Sequence, residues 1–320
     1  MAANDLAARM RSAAQVLLSG LDEEQRSFAV YPFTDAGARQ WLEYRPEHRP
    51  GACLAGLSVA ARKAAQRLLI TGLSEHAYAQ AMTIVSLEET LDRIEGGQLN
   101  RHSGDYWVSV FGDPGGDGPW SWRFEGHHLS VSMTVSGETV SPAPVFLGAN
   151  PARVSYAGRT VSRPLAPEED LARALLDALG PAGRSTAIVS GQPPFDIRSG
   201  PRPSAPERIE PLGVGASRLG PGARAMLDAL VGLYLDRLPA ELAAAERARL
   251  SAGELYFAWE GPVTPCTRHY YRVQGEDLLI EYDNTSDDGN HAHTVLRRPR
   301  GDFGGDVLAA HYRRAHAQAG

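Results

Sequence analysis

The stretch "RHYYRVQGEDLLIEYDNTSDDGNHAHTVLRR", Arg268 to Arg298, decides the fold. Short runs of alternating apolar and polar residues are separated here by turn-rich segments at 274–277 and 285–289, and that period of two belongs to strands rather than helices. A hairpin turning at 274–277 sets Val273 opposite Leu278, Tyr271 opposite Ile280 and His269 opposite Tyr282 on one largely apolar face. The other face pairs Arg272 with Leu279, Tyr270 with Glu281 and Arg268 with Asp283. Closing a second hairpin through 285–289, with Asn284 facing Asn290, sets Asp283 against His291 and Glu281 against His293. Residues two apart share a face only on a strand, so the His-Ala-His spacing carries information because the setting is β. Opposed Cβ atoms lie about 4.5–5.5 Å apart. That is close enough for a shared cation, or for a carboxylate that fixes one imidazole tautomer. A loop one residue longer would shift the pairing.

Outward from this stretch, "YWVSVFG", "WSWRFEGHHLSVSMTVSG" and "TVSPAPVFLG" between residues 106 and 148 repeat the strand pattern, broken by the turn-rich "DPGGDGP". Helical periodicity marks residues 1–20 and 53–95, the latter split at Gly72 with Ser74 as a start signal. Further helices are predicted over 166–180, with Pro167, Glu168 and Glu169 in the first turn and Gly180 as a stop. Another runs over 223–250, broken at Pro239, and a terminal one starts near Gly305. Residues 190–222 are dense in Pro and Gly without a period and read as a long loop. The expected class is α+β, an antiparallel sheet with helices packed at the N-terminus, middle and C-terminus. One domain is expected over 1–320, helical to about residue 97 and mixed from about 98, with no obvious internal repeat.

Composition narrows the function classes. With 320 residues, 43% of them hydrophobic, the chain can fill a sizeable core. A net charge of −6 with arginines scattered among acids gives no stripe for a phosphate backbone, so nucleic acid is not an expected partner. Cys53 and Cys266 lie outside any C-x-x-C spacing, which argues against a thiolate zinc site and suits a reducing, cytoplasmic setting. No apolar run reaches the roughly 18 residues of a membrane span, and the N-terminus reads as an amphipathic helix rather than a signal peptide. "GVGASRLG" lacks the G-x-G-x-x-G spacing and follows no strand, and no G-x-S-x-G elbow is present.

A second histidine group stands in "RFEGHHLSVSM", with Glu125, His127 and His128. On an unbulged strand only one of the two histidines can point into a common site, and Gly126 could mark a bulge or a close approach. His48, His76, His102, His311 and His316 read as hydrogen-bonding structural residues, as does His269. The plain alternative for the main cluster is a buried salt-bridge network holding a hairpin.

The segments "GPWSWRFEGHHLSVSMTV", "PVFLGANPA", "PLAPEEDLARALL", "HYYRV", "LLIEYDNTSDDGNHAHTVLRRP" and "DFGGDVLAAHY" closely resemble the family known as domain of unknown function 3500, a bacterial and fungal group. The similarity runs from about Val30 to the C-terminus, and no established activity comes with it. It implies that "EGHH" and "NHAHT" belong to one signature. The expectation is therefore a divalent cation (zinc, iron or manganese) held by His291, His293 and His127 or His128. Glu281 or Asp283 would be its fourth ligand or general base, with Arg268 and Tyr270 beside them. A small-molecule substrate is expected. Hydrolysis is favoured over non-haem iron or copper oxidoreduction. The rival is a non-catalytic binding module in which Arg123, Arg268 and Arg297 hold a ligand's carboxylate or phosphate.

Overall fold

The computed structural model describes residues 3–99, 101–250 and 253–309. Eight long strands form its centre: β1 (Tyr106–Phe111), β2 (Trp120–Gly126), β3 (Leu129–Ser136), β4 (Thr139–Ala149), β5 (Tyr256–Glu260), β6 (Tyr270–Gln274), β7 (Leu279–Ser286) and β8 (His291–Arg297). Each set of four is an antiparallel meander, and the last strands of the two meanders pair. The order across the sheet is thus β1-β2-β3-β4-β8-β7-β6-β5. The protein is α+β.

The alternation predicted from sequence is what orients the sheet. Ile280 and Tyr282 of β7 and Ala292 and Leu296 of β8 join the main apolar core, which the helices cover. Glu281, Asp283, His293 and Val295 face the other side, where Val295 packs with Leu42, Tyr44 and Ile197 from long loops. That second face is buried yet strongly polar, because loops rather than helices cover it and their backbone groups supply partners for charged side chains.

The hairpins differ from the pairing expected from sequence by two residues. Gly275 donates its N–H to the Leu278 carbonyl, so the turn holds only Glu276 and Asp277. Arg272 therefore opposes Glu281, and Tyr270 opposes Asp283. In the next hairpin Asp283 opposes His293 and Glu281 opposes Val295, and an irregularity then leaves Ser286 facing His291. A slip of two preserves which face each residue occupies, so the facial assignment stands while the partners change.

The absence of an internal repeat expected from sequence is corrected by the element order. Helices α1 (Ala3–Ser19), α2 (Glu23–Ala29), α3 (Val59–Gly72) and α4 (Glu75–Ile94) precede the first meander. Their counterparts α5 (Ala166–Ala178), α6 (Gly180–Ala187), α7 (Pro221–Leu235) and α8 (Ala240–Leu250) precede the second. In each half a short strand runs parallel to the outer strand of the meander (Val30–Tyr31 on β1, Ile188–Ser190 on β5). A second short strand runs antiparallel to it (Ala52–Cys53, Val214–Gly215). The halves even share a turn motif, "WRFEGHHL" at 122–129 and "YRVQGEDL" at 271–278, in which Arg123 and Arg272 are buried and ion-paired to Glu125 and Glu260.

Start and stop signals hold where they rest on local chemistry. Ser74 caps α4 by accepting from the Ala77 N–H. The break at Pro239 separates α7 from α8, and a helix begins at Gly305 whose course past residue 309 lies outside the described residues. His311 and His316 lie there too. Gly180, read as a stop, begins α6 instead.

Candidate metal centre

"EGHH" is not a strand interior. Gly126 pairs with Leu129, so His127 and His128 are the two turn residues between β2 and β3, and His128 takes a left-handed φ of 63°. Both rings therefore leave on the same side and stack, with centroids 3.7 Å apart. Two close approaches fix this turn. Gly126 carries the Tyr106 ring against its backbone, and Tyr106 donates its hydroxyl to the His127 carbonyl at 2.8 Å. Gly148 of β4, directly opposite His293, leaves room for the His128 ring, and its N–H donates to the His128 carbonyl. The His128 N–H donates to Tyr44.

This seating brings His128 from the first half onto His291 and His293 from the second. His128 and His291 meet Nε2 to Nε2 at 2.8 Å, and one donor nitrogen from each of the three rings lies within 4.8 Å of the others. The Nδ1 atoms of His291 and His293 are committed elsewhere. His293 Nδ1 faces Asp196 at 3.0 Å and Asp283 at 3.3 Å, while His291 Nδ1 faces Asp287 at 3.1 Å. Nε2 is thus left on each ring for a shared ligand, the arrangement in which a carboxylate orients a metal-bound imidazole. Asn150 closes the outer side with its amide 3.3 Å from His291 Nδ1. The Tyr44 ring lies beside His293 and its hydroxyl donates to Asp196 at 2.7 Å.

Electrostatics divides the three rings. Burial and neighbouring histidines hold His128 well below the ordinary imidazole range, and burial with His293 pushes His291 down to about 4. Both are neutral at neutral pH and keep lone pairs. Burial alone would depress His293 as well, but Asp283 and Asp196 outweigh it and raise it to about 10. A proton occupies that ring in the cation-free protein, and a metal ion must displace it. Three carboxylates surround the three rings, so the donor set suits a divalent cation.

Of the other predicted residues, Asp283 and His127 touch these rings, while Glu281, Tyr270, Arg268, Arg123 and Arg297 make their contacts elsewhere. Glu281 is fully buried and accepts from the Arg198 and Ser199 N–H groups and the Tyr270 hydroxyl, which ties β7 to the 190–222 loop. Asp283 accepts from Thr285 through its other oxygen. Arg268 is exposed beside Asp288, while Arg123 and Arg297 are buried against Glu125 and Asp302. His127 turns its Nδ1 to Glu88 at 2.5 Å. His269 stacks on Trp259, His76 meets Ser74, and His102 accepts from Gly104. Asp196, Tyr44, Asn150 and Glu88 were not singled out from sequence. Asp287 was visible only as part of an acidic turn, Asn150 only within "GANPA", and Asp196 and Tyr44 sit in loops with no period to flag them.

A Glu281→Gln variant is expected to lose about 1–3 kcal/mol of stability, since a buried acceptor for two backbone donors is weakened, while binding metal as before. Denaturant unfolding together with metal content checks both halves of that statement.

The family profile described as "Protein of unknown function (DUF3500)" matches residues 3–305, and the chain belongs to that family. No curated protein and no solved structure matches it.

Proposed function

We propose that the protein is a metal-dependent enzyme whose cation is held by His128, His291 and His293. The observation that carries this reading is the convergence of three imidazoles from both halves, two of them braced at Nδ1 by carboxylates. Three nitrogen donors suit zinc, and a zinc held by them would bring a bound water toward neutral pKa. Asp283 and Asp196 orient His293. Asp287, more than half exposed beside the partly exposed His291, is the group able to take a proton from an arriving nucleophile. Hydrolysis of a small molecule is the favoured reaction.

A second reading, oxidoreduction at iron or copper, is favoured by the same all-nitrogen donor set. The setting is cytoplasmic and bacterial, where the free thiols of Cys53 and Cys266 stay reduced. Among the described residues, no helix is long and apolar enough to cross a membrane. Identifying the metal in protein purified without added ions, followed by ester, amide and phosphoester screens for zinc or oxygen uptake for iron and copper, separates these readings. A protein carrying no metal and binding ligands through its arginines alone would leave only the binding-module reading.

A further inference from the structure

The three-histidine centre leaves His127 unused, although the fold seats it as firmly as His128. Its ring lies on the His128 ring at an interplanar angle of 29°, and its Nδ1 stands 2.5 Å from Oε1 of Glu88 on α4. Donor atoms of Glu88, His127 and His128 lie within 4.8 Å of one another, and all three residues are buried. Two stacked imidazoles on consecutive turn residues present their nitrogens side by side, as a chelating pair does. His128 has a second nitrogen to offer, since its Nε2 is the atom turned to His291.

A cavity of about 400 Å³ opens on this spot, lined by Glu88, His127, Arg49, Arg101 and Trp107 among others. The corresponding turn of the second half carries Glu276 and Asp277 in place of the two histidines. The pair therefore belongs to one half only, and the turn motif itself does not require it.

We propose that Glu88, His127 and His128 form a second cation site, with the His128 ring bridging it to the three-histidine centre. This rests on the reading of that centre given above. Two imidazole nitrogens and one carboxylate oxygen suit zinc or copper(II), and the cavity beside Glu88 and His127 has room for further ligands. Arg101 stands 3.3 Å from His127 Nδ1, but its guanidinium is already matched by Glu95 at 2.5 and 2.8 Å. Its Nη1, which faces His127, is the guanidinium nitrogen not held by Glu95. Binding forms metal–nitrogen and metal–oxygen bonds without any redox change. To bind, His127 would keep its one ring hydrogen on Nε2 and offer Nδ1, while the bridging His128 would give its ring hydrogen to solvent and become an imidazolate.

The full-length protein, stripped with chelator, titrated with zinc and desalted before elemental analysis, is expected to retain two ions per chain. Glu88→Gln, which keeps a hydrogen-bonding partner for His127, is expected to retain one, and His127→Asn gives the same reading should the first variant melt early. Loaded with copper(II), the wild type is expected to give a spin-coupled paramagnetic resonance spectrum that Glu88→Gln converts to that of an isolated ion. One ion per chain in the wild type, or two ions in both variants, overturns the second site and leaves the three-histidine reading in place. No retained ion overturns both.

Discussion

Replacing Gly126 with alanine is expected to cost about 3 kcal/mol or more and to dismantle the histidine cluster. An added Cβ would stand 2.2 Å from Cδ1 and 2.5 Å from Cε1 of Tyr106, a ring that is itself buried. The ring cannot swing aside cheaply, because its hydroxyl holds the carbonyl of His127, the residue that begins the turn. Overpacking a close contact ordinarily costs about 1–3 kcal/mol, and here a hydrogen bond of about 1 kcal/mol goes with it. The urea midpoint should fall with the slope unchanged. Gly56→Ala, where nothing lies within 4 Å of the new atom, is the control and should stay within about 0.5 kcal/mol. A Gly126→Ala protein as stable as that control would contradict the packing described for the turn.

Asp283→Asn is expected to weaken metal binding by about 10–100-fold, the range found when a carboxylate behind a metal-bound histidine is lost. The substitution keeps shape and the contact with Thr285, but it removes a charge 3.3 Å from His293 Nδ1 and offers an amide in its place. His293 is then less firmly held in the tautomer that frees Nε2. Competition against a chelator of known affinity measures the change. Equal affinity in both proteins would mean that Asp283 braces the hairpin and not the metal ligand.

How far such residues were legible from sequence depended on the range of the forces placing them. Alternation along 279–286 and 291–297 gave the faces correctly, since burial of Ile280, Tyr282, Ala292 and Leu296 permits only one phase. It did not give the pairing, because a two-residue turn at Glu276-Asp277 and a four-residue one satisfy the same alternation. The slip moved Asp283 from His291 to His293 and Glu281 from His293 to Val295. His127 and His128 were legible as a pair but not as a turn, since Gly126 signalled a close approach without saying of what. Asp196 and Tyr44 reach the site from loops far away in sequence, placed by the packing of Tyr44 and of Ile197, next to Asp196, with Phe146 and Val295, and nothing local marks them. The repeat stayed hidden because the halves share element order while agreeing closely in few residues, such as the arginine and glycine of the turn motif.

The central claim is that His128, His291 and His293 hold a metal ion. Elemental analysis of wild type purified without added metal, beside a folded His291→Ala/His293→Ala double variant, tests it most directly. Close to one ion or more per chain in the wild type and about one ion fewer in the variant is the predicted result. Metal well below one ion per chain in the wild type, or metal unchanged by the double substitution, would contradict it.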